Sequence, residues 1–291
     1  MNQTKKKNPL KRLLSMRGMG QVVTVTIGLI VLLVAFALIN PNFWSPTNRT
    51  NLLRQIAPIL IIGIAQSYVL ITGNIDLSIG SVVGMSTMVA ATLMSKGIMS
   101  PIPALLVTLL CCLLIGVLNG LLVAKFKLPP FIATLGTMTV ARGIAQLVNG
   151  NYNTDSIMKF YPEAAQTFKN VFYYGKTLGL YNGIWIAIIL WIVFNFLLSK
   201  TRTGRYIYAT GSNIDAARLS GVNVVSTTVI AYVVSAFCSF VVGIITCATV
   251  GQGTMDAGNS YEMYAVAASV IGGVSTLGGQ EIGRASCRER V

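Results

Sequence analysis

Apolar stretches of similar length, separated by short polar segments, recur along almost the whole chain. Each holds about 18 to 25 residues with at most one charge, enough at about 1.5 Å per residue to cross the roughly 30 Å hydrocarbon core of a bilayer. The pattern predicts membrane-spanning helices at residues 22–39, 56–73, 77–94, 102–124, 129–148, 180–199, 224–250 and, with a less apolar sequence, 261–279. We therefore expect an all-α fold, a polytopic transmembrane helical bundle.

The composition agrees with this pattern and excludes several classes of protein. Hydrophobic residues make up 54% of the 291 positions and charged residues 10%, which leaves too little polar surface for a soluble domain of this length. The chain has no histidine, the commonest metal ligand and general base. Its five cysteines show no CxxC spacing. We expect no catalytic residue, no metal site and no disulfide framework.

The basic residues are distributed as topology determinants. The net charge of +14 comes from 22 Lys and Arg against 8 Asp and Glu, and the basic residues lie between apolar spans without aromatic interleaving, so no nucleic-acid partner is expected. A cytoplasmic N-terminus places six basic residues of the N-terminal segment and six of the internal loops inside, and six outside. This bias is the one that orients membrane proteins. The 149–177 segment then faces outward.

The chain divides into three segments. Residues 1–20 form a basic cytoplasmic N-terminus, residues 21–280 a transmembrane domain and residues 281–291 a tail. The apolar run at 22–39 is too long for the core of a signal peptide, so we expect it to be retained as the first helix. The tail, "EIGRASCRERV", differs abruptly in composition from the rest. We expect it to be extraneous, with a genuine cytoplasmic tail as the alternative.

An acid stands between the second and third spans, in "LITGNIDLSIGSVVG" (residues 70–84). A charge deep in a bilayer costs about 2.5–3.5 kcal/mol on insertion scales, so Asp76 requires a protein interior, an aqueous cavity or a helix end. Asn74, Asp76 and Ser78 can each accept hydrogen bonds from the free N–H groups at a helix start. We expect an acidic helix cap at a sharp break between the spans. The alternative is a polar lining of a transport path.

Other polar residues inside the predicted spans have the same two explanations, namely hydrogen bonding within the bundle or lining of a path. They are Gln66, Asn119, Thr134, Thr137, Arg142 and Glu262. Threonine hydroxyls in helices commonly bond back to their own helix. Arg142 must pair within the protein or extend its side chain to the membrane surface, and a structural pairing is the expected role.

Two pairs of glycines stand at four-residue spacing within predicted spans, Gly80 with Gly84 and Gly116 with Gly120. Small residues at this spacing let helix backbones approach closely in lipid, where packing replaces the hydrophobic driving force. The pairs therefore predict close helix contacts rather than a role in a transport path.

Four stretches carry a family resemblance. They are "GNIDLSIGS" at 73–81, "NGLLVAKFKLPPFIATLGTMTVARGIA" at 119–145, "GSNIDAARLSGVNV" at 211–224 and "SYEMYAVAASVIGGVSTLGG" at 260–279. In this order they resemble the permease subunits of ribose-type ATP-binding-cassette sugar importers, and Asn74 stands where that family commonly has a second glycine. The resemblance implies a bundle of the importer-permease type. It also implies further membrane helix beyond residue 280, so we expect the chain to be truncated.

The third of these stretches resembles the segment that importer permeases present to their ATPase subunits. The resemblance assigns this coupling role to Asp215, Ala216 and Ala217 together with Arg218 and Gly221. A short helix with two alanines on its surface can fit closely into a groove of a partner, and Gly221 can end it in a left-handed turn. An ordinary solvated loop helix is the alternative.

The resemblance implies a permease that carries a monosaccharide, such as ribose, across the bacterial cytoplasmic membrane. Galactose, xylose and autoinducer-2 are alternative substrates among which the sequence does not decide. The implied partners are a second permease subunit, identical or homologous, cytoplasmic ATP-binding subunits and an extracytoplasmic sugar-binding protein. No cofactor is expected on this chain, because the partner subunit uses ATP with Mg. An ion-driven secondary transporter of a small polar solute is the alternative and would need coupling acids in several spans. A membrane-embedded enzyme would need a nucleophile with its base, or metal ligands.

Overall fold

The computed structural model describes residues 19–276, 278 and 279, with side chains from residue 23 onward. This part of the chain is predominantly helical, which confirms the all-α fold class. The predicted tail at 281–291 and the N-terminal segment up to residue 18 lie outside the described residues. The helices are α1 (Met19–Ile39), α2 (Pro46–Ile71), α3 (Ile79–Ser95), α4 (Pro101–Ala124), α5 (Pro130–Leu147), α6 (Pro162–Lys169), α7 (Asn182–Lys200), α8 (Arg202–Ser212), α9 (Ile214–Leu219), α10 (Val224–Val250) and α11 (Tyr261–Ile271).

Between α6 and α7 the chain forms a π-helical segment, Asn170–Tyr174, and a small antiparallel hairpin of β1 (Lys176–Thr177) and β2 (Leu180–Tyr181). Several helix boundaries follow from proline and glycine. The helices α2, α4, α5 and α6 each begin at a proline, whose missing N–H is unneeded in the first turn. Gly251 ends α10 with a left-handed φ of 78°.

Four of the described helices are long and apolar enough to cross a membrane, namely α2, α4, α7 and α10. The helix α11 is shorter than the predicted span at 261–279, because it ends at Ile271 after 11 residues, about 16 Å. After it a glycine-containing stretch turns back, and the Gly279 N–H donates to the carbonyl of Ile71 at 2.8 Å. Left-handed φ values at Gly273, Gly278 and Gly279 allow this turn.

The helix α3 occupies the centre of the bundle. Of its 17 residues only Leu93 is not buried, and it packs against α4, α5 and α10. Two of its hydroxyl groups bond to the backbone of α10: Ser86 donates to the carbonyl of Phe240 at 3.1 Å and Thr87 to that of Gly243 at 3.0 Å. A helix buried on all sides forms the core of its bundle.

The glycines of α4 allow α4 and α10 to approach closely. A Cβ atom at Gly116 would lie 2.7 Å from the Cβ of Ala236, and one at Gly120 would lie 2.5 Å from the Cα of Val229. Real Cβ atoms do not tolerate such distances, so the predicted close contact of this glycine pair is confirmed.

Other helix faces remain apolar and exposed. On α4 a stripe at four-residue spacing consists of Ile102, Leu106, Leu110 and Leu114, each more than half exposed. A soluble protein rarely exposes an apolar surface of this extent. These faces suit contact with lipid.

The bundle has two distinct ends. Arg54, near the start of α2, places its Cζ atom 3.3 Å from the ring centre of Tyr181 and 5.0 Å from that of Tyr173, a cation–π contact with the 149–181 segment. We call this end the loop end. At the other end of α2, Ile71 lies against Gly211 of α8, beside α9. We call this the α9 end.

Candidate functional site

The carboxylate of Asp76 lies in the linker between α2 and α3 and is 2% exposed. Its Oδ1 accepts hydrogen bonds from the backbone N–H of Ser78 at 2.9 Å and from the Ser78 hydroxyl at 2.6 Å. Its Oδ2 accepts a hydrogen bond from the hydroxyl of Ser235, near the middle of α10, at 2.7 Å. The bond from the Ser78 N–H closes a local turn and is not the helix cap predicted for Asp76, because Ser78 is itself the residue that precedes α3 and no side-chain capping bond is made there.

Asn119 and Thr137 extend this arrangement into α4 and α5. The Asn119 amide donates to the Ser78 hydroxyl oxygen at 2.9 Å, and its carbonyl oxygen accepts from the Thr137 hydroxyl at 2.6 Å. We call Asp76, Ser78, Asn119, Thr137 and Ser235 the buried polar network; none is more than 3% exposed. The network connects the α2–α3 linker with α4, α5 and α10.

The donors that surround Asp76 are all uncharged. Among the residues that the structure describes, the ion pairs join Lys159 to Asp155 and Arg218 to Asp215, all four on the surface. Burying a charge without a cation is costly, and hydrogen bonds to the carboxylate offset part of that cost. Because the members of the network satisfy one another, the arrangement is suited to fixing the helices rather than to contacting a solute.

Three other residues singled out in the sequence lie apart from this network. The Asn74 amide donates to the Thr72 hydroxyl at 2.8 Å, and the Thr134 hydroxyl donates to the Pro130 carbonyl of its own helix at 2.8 Å. Gln66 is fully buried, with neither amide atom bonded to any described residue. The bond of Thr134 is the local contact that threonine commonly makes in helices.

Arg142 lies on α5 and reaches across to the non-helical segment that follows α10. Its Nη1 donates to the backbone carbonyls of Met255 at 2.9 Å and Ala257 at 3.0 Å. The structural pairing expected for Arg142 is therefore present, and its hydrogen-bond acceptors are main-chain carbonyls.

The segment implied to contact the ATPase forms the helix α9. The Asn213 side chain accepts a hydrogen bond from the Ala216 N–H at 2.9 Å and starts the helix. Gly221 follows it with a φ of 81°, the left-handed end that was predicted. The side chains of Asp215 and Arg218 project into the surroundings at the α9 end, 88% and 64% exposed.

The expectation that both alanines of α9 lie on its surface is wrong for Ala217. Ala216 is exposed, but Ala217 is buried because α9 packs against α8 and α10. The apolar surface of α9 comes instead from Leu219, which is 90% exposed, and from Ile214. We call Ile214, Asp215, Ala216, Arg218 and Leu219 the α9 surface.

Sequence reasoning missed two residues that support the site. The Ser235 hydroxyl donates the hydrogen bond that Oδ2 of Asp76 accepts. The hydroxyl of Tyr232, one turn earlier on α10, donates to the Ile75 carbonyl at 3.0 Å. Both stand within a long apolar run, where a serine normally bonds to its own helix. The sequence contains one signal, namely that a buried Asp76 needs hydrogen-bond donors. That signal does not indicate which residues of the chain supply them.

Comparisons with known proteins agree with this architecture. Residues 48–283 match the family described as branched-chain amino acid transport system / permease component. The ribose import permease protein of Haemophilus influenzae is 39% identical over 257 residues, covering 87% of this chain and 77% of its own length. The galactofuranose transporter permease protein of Escherichia coli is 35% identical over 281 residues, covering 94% and 79%. No solved structure matches the chain.

Proposed function

This chain belongs to the family of transport-system permease components, and we propose that it is the membrane-spanning permease subunit of an ATP-binding-cassette importer for a monosaccharide. The observation that carries the proposal is its similarity to sugar permeases over most of its length. Relatives at 34–39% identity are named ribose import permeases, so ribose is the first substrate to test. The chain is a transport component and not an enzyme, in keeping with these relatives.

The α9 surface supports a docking role for the ATPase subunit. It places Leu219, which is 90% exposed, beside the charged side chains of Asp215 and Arg218. An apolar centre with a polar rim is the usual composition of a protein interface. ATP and Mg would be held by that partner, and this chain would respond to its ATP cycle through a change in the contact with α9.

The remaining partners follow from the same assignment. A second permease subunit, identical or homologous, would complete the transport path in the cytoplasmic membrane. An extracytoplasmic sugar-binding protein would deliver the sugar at the loop end, with the N-terminus and α9 on the cytoplasmic side. The family supports this importer over the ion-driven transporter considered from the sequence.

Within this function the buried polar network would have a structural role. Its members form hydrogen bonds with one another at the centre of the bundle, and they are Asp76, Ser78, Asn119, Thr137 and Ser235. Closed hydrogen-bond networks in a low-dielectric interior stabilise one arrangement of the groups that they join. The network would hold α3, α4, α5 and α10 as one unit during transport.

Reconstitution tests the proposal. The chain is placed in proteoliposomes with its ATPase and sugar-binding protein, ATP is enclosed at the ATPase side, and uptake of labelled ribose is measured beside galactose and xylose. We expect uptake that requires ATP and continues when an ionophore dissipates the ion gradients. Uptake that needs no ATPase and stops with the ionophore would instead establish the secondary transporter.

A further inference from the structure

Residues 251–260, which we call the inserted segment, follow α10 and run back along α3 without forming a helix. The order of the contacts gives the direction, since Gly253 lies beside Met88 and Ala257 lies beside Gly84. Gly84 stands eleven residues before the loop end of α3, which corresponds to about 16 Å at 1.5 Å per residue. The inserted segment therefore penetrates deep into the bundle from the loop end.

Neighbouring elements satisfy the backbone of the inserted segment. The Gly253 N–H donates to the Thr154 hydroxyl at 2.8 Å, and the Met255 N–H donates to the Asn153 side chain at 2.9 Å. Arg142 donates to the carbonyls of Met255 and Ala257. Irregular backbone at membrane depth is tolerated only where protein buries it or where it borders water.

The glycines of α3 make room for this insertion. A Cβ atom at Gly84 would lie 2.7 Å from the Ala257 carbonyl oxygen, and one at Gly80 would overlap the Gly258 carbonyl and the Glu262 carboxylate. The pair at Gly80 and Gly84 thus admits an irregular segment of turns, and not the second helix that the glycine spacing predicted, where a larger residue would exclude it.

Two polar side chains of this region point away from the core of the bundle, whereas those of Glu262 and Arg142 lie against Gly80 and Gly84 of α3. Asp256 and Asn259 are exposed, and the Asn259 amide donates to the Asp256 carboxylate at 3.3 Å. Glu262, in the first turn of α11, and Arg142 are half-buried. A carboxylate that faced lipid at this depth would cost several kcal/mol, so this face of the bundle must border water or protein.

We propose that Asp256, Asn259 and Glu262 form a wall of the sugar path and hydrogen-bond to the hydroxyl groups of the sugar as it passes. The proposal rests on the proposed function and adds the residues that contact the substrate. Arg142 is a positioning residue, since it holds the carbonyls on either side of Asp256. Two carboxylates and an amide accept bonds from hydroxyl groups, and their negative charge disfavours an anionic substrate. The wall therefore suits a neutral sugar and rejects a sugar phosphate.

Water access to the wall is tested first, without any sugar. The variants N259C and L114C of the full chain are placed in proteoliposomes, and each is treated with a charged methanethiosulfonate. The labelling of the native cysteines, measured on the chain without either substitution, is subtracted. Leu114 is 67% exposed and lies on the apolar stripe of α4. We expect N259C to react at least tenfold faster than L114C, because the charged reagent requires water. Equal rates, whether fast or slow, would overturn the proposal.

Contact with the sugar is tested second, in the reconstituted transporter. We expect D256N to raise the KM for ribose uptake several-fold, and ribose to slow the labelling of N259C. The control is D155N, an exposed acid at the loop end, which should leave the KM unchanged. If D256N left the KM for ribose unchanged, the proposal that Asp256 contacts the sugar would be overturned. If the unmodified transporter carried no ribose, the proposed substrate would fail, whereas the labelling contrast would still be read independently.

Discussion

The hydroxyl of Ser235 donates to the carboxylate of Asp76 at 2.7 Å, across 159 positions of sequence. The bond joins the linker before α3 to the middle of α10, the two helices with the most extensive burial in the bundle. Because Asp76 receives its other bonds from Ser78, this contact is what connects the acid to a distant helix. The acid that the sequence predicted as a local helix cap instead joins two distant segments of the chain.

Removing the charge of Asp76 is expected to destabilise the bundle. In D76N one acceptor oxygen replaces two, so a hydroxyl of Ser78 or Ser235 loses its acceptor at a cost of about 1–3 kcal/mol in the free energy of unfolding. Thermal unfolding of the purified protein in detergent measures this loss. The surface variant D155N should change the same quantity by no more than about 1 kcal/mol. Equal melting temperatures for the two variants would contradict a stabilising role of Asp76.

Close packing of α4 on α10 predicts a contrast between two glycines. In G120A the new methyl group would meet Val229, and overpacking of this kind costs about 1–3 kcal/mol. Gly136 lies in α5, and no other part of the described chain comes within 4 Å of the position that a Cβ would take, so G136A should be neutral or stabilise by about 0.5–1 kcal/mol. Thermal unfolding of both variants measures the contrast. A melting temperature lowered equally by both would rule out the packing explanation.

The α9 surface predicts the effect of truncating Leu219. If Leu219 is a central contact, L219A should weaken association with the ATPase subunit by about tenfold or more, since such contacts are worth over 1 kcal/mol. Co-purification and the transport-coupled ATPase rate measure the effect. Leu178, 87% exposed at the loop end, is the matched control, and L178A should leave both quantities unchanged. An unaffected ATPase complex in L219A would exclude α9 as its docking site.

The two ends of the bundle predict opposite labelling in intact cells. Asp155 and Asp215 both have well-exposed side chains, one at the loop end and one on α9. An impermeant thiol reagent added outside should label D155C and reach D215C only after the membrane is opened. The reverse pattern would invert the assigned orientation.

The contact of Arg142 with the inserted segment predicts a local loosening in R142A. Without the guanidinium, the carbonyls of Met255 and Ala257 lose their donor, at about 1–3 kcal/mol for each buried group left unpaired. Hydrogen exchange at residues 251–260 should therefore accelerate. In T139A, one turn away on α5, only a hydroxyl bonded to its own helix is lost, so exchange should not change. Unchanged exchange in R142A would show that other contacts hold the segment.

The sequence by itself determined the fold class, most helix boundaries and the glycine contacts of α4. These features depend on the length of an apolar run, on a proline at a helix start and on the spacing of glycines. Each of these signals involves only residues that are near one another in the sequence, so the sequence alone predicts them. The span at 224–250 coincides with α10, and α5 begins at Pro130, one residue inside the span predicted at 129–148. Gly221 ends α9 for the same local reason.

The tertiary structure alone decided which of the polar residues are brought together. Asp76, Ser78, Asn119 and Thr137 meet Ser235 because three helices, α4, α5 and α10, converge on the α2–α3 linker, whereas Thr134 stays bonded to its own helix. It also buried Ala217, exposed Leu219 and folded residues 251–260 back along α3. These outcomes depend on the rotation and depth of each helix relative to its neighbours. Packing between distant segments sets both quantities, and no local pattern of residues encodes them.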